Sequence, residues 1–133
     1  MPCSLGFHPY FATSKKENLE LEFDMREYWD YTNDGAHGFL EKPPVLADPL
    51  NHVFWGSAPQ KIKLINPTDG YMAALTTDSS FQAATLCTVF PGACCIEPWQ
   101  GLPNCAATGI GTKWIESGCS QGFRYWIDFS RLP

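Results

Sequence analysis

Leu19-Glu20-Leu21-Glu22-Phe23 alternates apolar and charged residues without a break, the pattern of a strand with one buried and one wet face. Lys61 to Ile65 alternates in the same way. The Asn66-Pro67-Thr68-Asp69-Gly70 that follows is a strong turn signal, leading into a strand from Tyr71 to Thr76. Beyond polar Thr77-Asp78-Ser79-Ser80, a further strand is predicted from Phe81 to Phe90. At the C-terminal end, Phe123, Tyr125, Ile127 and Phe129 share one face of a last strand. Shorter pieces lie between these. Gly6-Phe7-His8-Pro9-Tyr10-Phe11 is extended, because Pro9 pushes His8 out of the α region. Val53-Phe54-Trp55 is an apolar cluster ended by Gly56, and Thr112 to Glu116 is a short strand after a loop from Ala106 to Gly111. Asp24 to Asn51 reads as one long irregular segment, of a length that in a compact domain is usually functional or lies against something. No stretch of helix length carries a 3.6-residue period. The pattern predicts an all-β class, an antiparallel β-sandwich, with residues 1–133 forming a single domain or half of one.

Candidate chemistry concentrates in Cys95-Ile96-Glu97-Pro98-Trp99-Gln100-Gly101-Leu102-Pro103-Asn104. An apolar run from Thr88 to Ile96 delivers one carboxylate, Glu97, and Pro98, Gly101 and Pro103 then argue against a continuing central strand. Glu97 is therefore expected at a strand end, with Trp99 pointing to the same face. An indole beside a carboxyl can raise its pKa by excluding water, and its flat face can stack on a sugar. A rim glutamate hydrogen-bonded to the following turn fits the same residues.

Composition narrows the function classes. Gly and Pro number 11 each in 133 residues, a turn density that favours many short strands over a helical bundle. A net charge of −5 leaves no basic face for nucleic acid. No run of 18 apolar residues suggests a membrane span, and the N-terminus lacks a signal-peptide pattern, which favours an intracellular location over secretion. Cys3, Cys87, Cys94, Cys95, Cys105 and Cys119 form no C-x-x-C, and His8, His37 and His52 stand at no metal-like spacing from them. The cysteines read as reduced, mostly buried small hydrophobes, and neither a metal nor another cofactor is expected.

Taken together, Gly6-Phe7-His8-Pro9-Tyr10-Phe11 and Cys95-Ile96-Glu97-Pro98-Trp99, with Gly101-Leu102-Pro103-Asn104 behind it, resemble the aldose 1-epimerase (galactose mutarotase-like) family. Leu50-Asn51-His52-Val53-Phe54 resembles the segment where that family carries an aspartate, and Trp114-Ile115-Glu116-Ser117-Gly118 fits its C-terminal end. The likeness covers nearly the whole chain but only the C-terminal half of the family's supersandwich. It implies an isomerase that interconverts the anomers of an aldose sugar without a cofactor. On this resemblance Glu97 is the base and His8 the acid, with Asn51, Trp99 and Tyr10 binding the sugar. Asn51 replaces a charged acceptor by an amide, unless Asp48 is the true counterpart. The family's other half is absent, which would leave a sheet edge and an apolar face for a protein partner to cover. The implied alternatives are a sugar-binding module, or a non-catalytic structural subunit of a larger assembly that keeps the epimerase-like fold.

Overall fold

The computed structural model describes residues 1–47, 49–56 and 61–133. In chain order the strands are β1 (Pro2–Cys3), β2 (Tyr10–Ala12), β3 (Glu20–Glu22), β4 (Glu27–Asp30), β5 (Ala36–Phe39), β6 (Asn51–Trp55), β7 (Lys61–Asn66), β8 (Tyr71–Thr77), β9 (Ala83–Cys87), β10 (Ala93–Trp99), β11 (Lys113–Trp114) and β12 (Tyr125–Arg131). Among the described residues, helix is confined to one short element, α1 (Cys105–Thr108), and a 3-10 turn at Lys16–Asn18. The strands form a six-stranded sheet in the order β2-β10-β9-β6-β4-β5 and a four-stranded sheet in the order β12-β8-β7-β3. A small pair, β1 with β11, joins the N-terminal residues to the segment that precedes β12. All pairings are antiparallel, as the alternation predicts.

The two larger sheets pack face to face because each has one apolar row set. Leu21, Ile62, Leu64, Ala73 and Leu75 from one meet Phe11, Phe54, Ala84, Leu86, Cys94 and Ile96 from the other in a single core. Alternation decides the opposite face of the six-stranded sheet. Residues paired across antiparallel strands share a face. Tyr10, Cys95, Cys87 and Asn51 therefore form one row; Glu97, Thr85, Val53, Trp29 and His37 the next; Trp99, Ala83 and Trp55 a third. All three rows face away from the core.

Two of these sequence expectations change. The segment from Asp24 to Asn51 is not irregular throughout, because it contains the β4–β5 hairpin. Its turn is closed by Asp34-Gly35, with φ of 49° and 73°, a dipeptide suited to the left-handed conformations of tight hairpins. Gly38 lies opposite Tyr28, where a Cβ would fall 2.5 Å from the phenol ring, so the hairpin hides its alternation behind a glycine. The strand expected to run to Phe90 stops at Cys87, and the apolar run from Thr88 to Ile96 joins its strand only at Ala93. Between them Pro91-Gly92 turns the chain with Gly92 at φ 68°, leaving Val89 and Phe90 exposed. The last strand keeps Tyr125, Ile127 and Phe129 on one face, as expected, with Phe129 packed on Phe11 and Tyr71 at the sheet edge and 65% exposed.

Candidate active site

Glu97 is not at a strand end. β10 continues through Pro98 to Trp99, paired with β9 over Cys95–Trp99. Pro98 is tolerated because its backbone is directed to the other side, where its carbonyl accepts the Phe7 N–H at 3.0 Å and the pairing with β2 has already lapsed. On that side the N-terminal segment keeps its register. Tyr10 faces Cys95 and Gly6 faces Trp99, so His8 falls opposite Glu97. The two motifs that stand far apart in sequence are thus two antiparallel segments aligned residue for residue.

The alignment brings the side chains into contact. His8 Nε2 lies 3.2 Å from Glu97 Oε1, and the Trp99 Nε1–H donates to Glu97 Oε2 at 3.2 Å. Glu97 is 3% exposed although it carries a carboxyl group, whereas about half of the His8 side chain is open to solvent. Burial pushes the Glu97 carboxyl up from its ordinary value, opposed by His8 and by the Trp99 hydrogen bond. Tyr10 stacks on the imidazole, ring centroids 4.7 Å apart and 18° from parallel, and so covers one face of His8. Gly6 makes room for the wall: a Cβ there would lie 2.7 Å from Trp99 Cδ1. His8, Glu97, Trp99 and the 4–7 segment line a cleft of about 360 Å³, within the range of small-ligand sites.

The sequence-nominated residues divide as follows. Glu97, His8, Trp99 and Tyr10 lie together. Asn51 starts β6 on the same face, across β9 from Cys95, about 10 Å away at ordinary strand spacing. Asp48 lies outside the described residues. His52 turns to the core side, stacked on Tyr28 at 4.2 Å with its Nε2 3.6 Å from Asp30, and burial holds its pKa down. The sequence reading missed four groups on the site face: Cys95, Thr85, Trp55 and Trp29. Cys95 was legible from its place two residues before Glu97 on one strand. Thr85, 2% exposed, has an Oγ1 with no hydrogen-bond partner directly across from Glu97. The absence of metal-like spacing in sequence does not keep histidine and cysteine apart in space. Ligand atoms of His8, Cys95 and Glu97 all lie within 4.8 Å of one another.

All six cysteines are free, and Cys87, Cys94, Cys95 and Cys105 are buried. Burial pushes the Cys94 and Cys95 thiols up to about 12.

No protein-family model matches the sequence, and no curated protein matches it. Solved structures do. The chain resembles the Slr1438 protein of Synechocystis sp. PCC 6803 with a TM-score of 0.79 and 28% identity, over 97% of this chain and 44% of that one. It resembles a candidate aldose 1-epimerase from Escherichia coli K12 with a TM-score of 0.73 and 19% identity, over 99% of this chain and 52% of that one. The fold is therefore galactose mutarotase-like, an antiparallel β-sandwich of the aldose epimerase type. The chain spans about half the length of the structures it matches, a share that fits the C-terminal half of the fold. No helix among the described residues is long and apolar enough to cross a membrane.

Proposed function

We propose that this chain carries the acid–base pair of an aldose 1-epimerase, and that most of the substrate positioning comes from protein outside it. The reading rests on one observation, the contact of His8 Nε2 with Glu97 Oε1 at 3.2 Å beneath Trp99. Glu97 takes the proton from the C1 hydroxyl while protonated His8 gives one to the ring oxygen. The C1–O bond of the ring breaks and an aldehyde forms. Rotation about C1–C2 and closure on the other face return both protons with the roles reversed. The two oxygens are attached to the same carbon, so acid and base are needed side by side rather than across a wide gap. A carboxyl made more basic by burial suits the first step. Trp99 offers an apolar ring to the sugar, and Asn51 can hydrogen-bond a hydroxyl without a charged acceptor.

Trp114, Trp126 and Phe129 are at least half exposed, which favours a second role as a subunit whose apolar surface a protein partner covers. The two readings separate by polarimetry on freshly dissolved α-galactose or α-glucose. General acid–base transfer alone gives roughly 10² to 10⁴-fold, and lost positioning removes much of that advantage. The isolated chain is expected to exceed the buffer rate only slightly, with the excess removed by Glu97→Gln. Equal rates in both proteins would withdraw the catalytic reading and leave a binding or structural role.

A further inference from the structure

We propose that His8, Cys95 and Glu97 form a binding site for one borderline-soft divalent cation of the zinc type, whether or not the chain turns sugar over. Imidazole nitrogen, thiolate sulfur and carboxylate oxygen are the donor set that Zn²⁺ takes, and three protein ligands with an open fourth position make a complete site. The three donors come from one face of two paired strands. Cys95 and Glu97 are two apart on β10, and His8 is the cross-strand neighbour of Glu97. Metal–ligand bonds of about 2.0–2.3 Å place tetrahedral ligand atoms about 3.3–3.6 Å apart. The His8–Glu97 separation of 3.2 Å already matches one such edge, and the two separations to Cys95, at most 4.8 Å, need to close by up to about 1.2–1.5 Å. His8 can follow because its side chain is half exposed, and the Cys95–Glu97 edge closes by side-chain rotation of these two residues on the same face of β10.

Outer contacts are in place as well. Trp99 holds the second oxygen of Glu97, leaving Oε1 for the ion, and Tyr10 braces the imidazole face. His8 and Glu97 line the cleft and open the fourth position to solvent, while Cys95 is buried. Binding releases the Cys95 thiol proton to water as the sulfur–metal bond forms, so affinity rises with pH. The ion also takes the lone pairs that proton transfer needs, so metal and epimerisation exclude one another at this site.

The test uses the chelator-stripped, desalted chain titrated with Co²⁺, whose bond to thiolate gives a near-ultraviolet charge-transfer band, and with Zn²⁺ against a chromophoric chelator. One ion per chain is expected, with the charge-transfer band present. Cys95→Ser abolishes the band, and His8→Gln weakens Zn²⁺ by at least about tenfold, whereas Cys119→Ser, an exposed thiol elsewhere, changes neither. Absence of the band in the parent chain overturns the proposal. So does a band that survives Cys95→Ser but not Cys119→Ser. Because the readout is absorbance, a chain without polarimetric activity that still passes this test separates the metal site from the epimerase reading. Circular dichroism of His8→Gln, a half-exposed position, checks that the fold is kept.

Discussion

Gly6→Ala is the most economical way to disturb the site without touching its titrating groups. The added methyl would meet Trp99 at 2.7 Å from Cδ1, 3.1 Å from Nε1 and 3.2 Å from Cγ. Carbon–carbon contacts are comfortable at about 3.5–4.0 Å, so the indole must retreat by about 1 Å. The Trp99–Glu97 hydrogen bond starts at 3.2 Å, and such a retreat carries it past the length at which it still counts as a bond. Overpacking of this kind costs about 1–3 kcal/mol, and a central value of about 2 kcal/mol lowers the melting temperature of a domain this size by about 6–10 °C. The second effect is electrostatic. Trp99 pulls the Glu97 pKa down, so losing it leaves burial less opposed and moves the carboxyl further up. Thermal unfolding by circular dichroism reads the first effect. Carboxyl-selective NMR titration of Glu97 reads the second. A variant that melts with the parent and titrates with it would show that Trp99 does not occupy the space above Gly6, and the account of the site wall would fall.

Glu97→Gln should gain stability at neutral pH. The folded pKa of Glu97 is raised, so its favourable contribution is complete below the ordinary carboxylate range and is lost as pH rises through the folded value. Urea midpoints taken with chelator present should show the gain of Glu97→Gln shrinking toward zero below about pH 4; a gain equal at all pH values would refute the linkage. For the thiols, exposed Cys119 should react with a disulfide reagent at neutral pH, while Cys94 and Cys95, buried and pushed up to about 12, wait for unfolding. Rapid labelling of Cys95 in the native chain would contradict its burial.

How far the chain can be read varies with the kind of signal. The strands around Leu21, Leu64 and Leu75 were legible because alternation follows directly from having one buried face. The β4–β5 hairpin was missed because Glu27-Tyr28-Trp29-Asp30 places its aromatics side by side on opposite faces, so no apolar period shows. Pro98 misled in another way. A proline forbids only the hydrogen bond it would have donated, and here its carbonyl still accepts the Phe7 N–H on that side. His8 and Glu97 could be nominated from motif likeness, but their contact depends on a strand register that local sequence does not specify. Cys95 shares a face with Glu97 by spacing alone, but its approach to His8 again depends on pairing.

The register that seats His8 against Glu97 has a kinetic side. One partner lies close to the N-terminus and the other deep in the second half, so their approach closes a loop that contains most of the sandwich. Loop-closure entropy must be met before any contact between them is gained, and strands that pair over such separations are slow to form. The core can therefore collapse while the acid and the base are still strangers. A Trp99-based fluorescence signal should then trail the burial of the core during refolding, making the cleft a reporter of the last strand to dock.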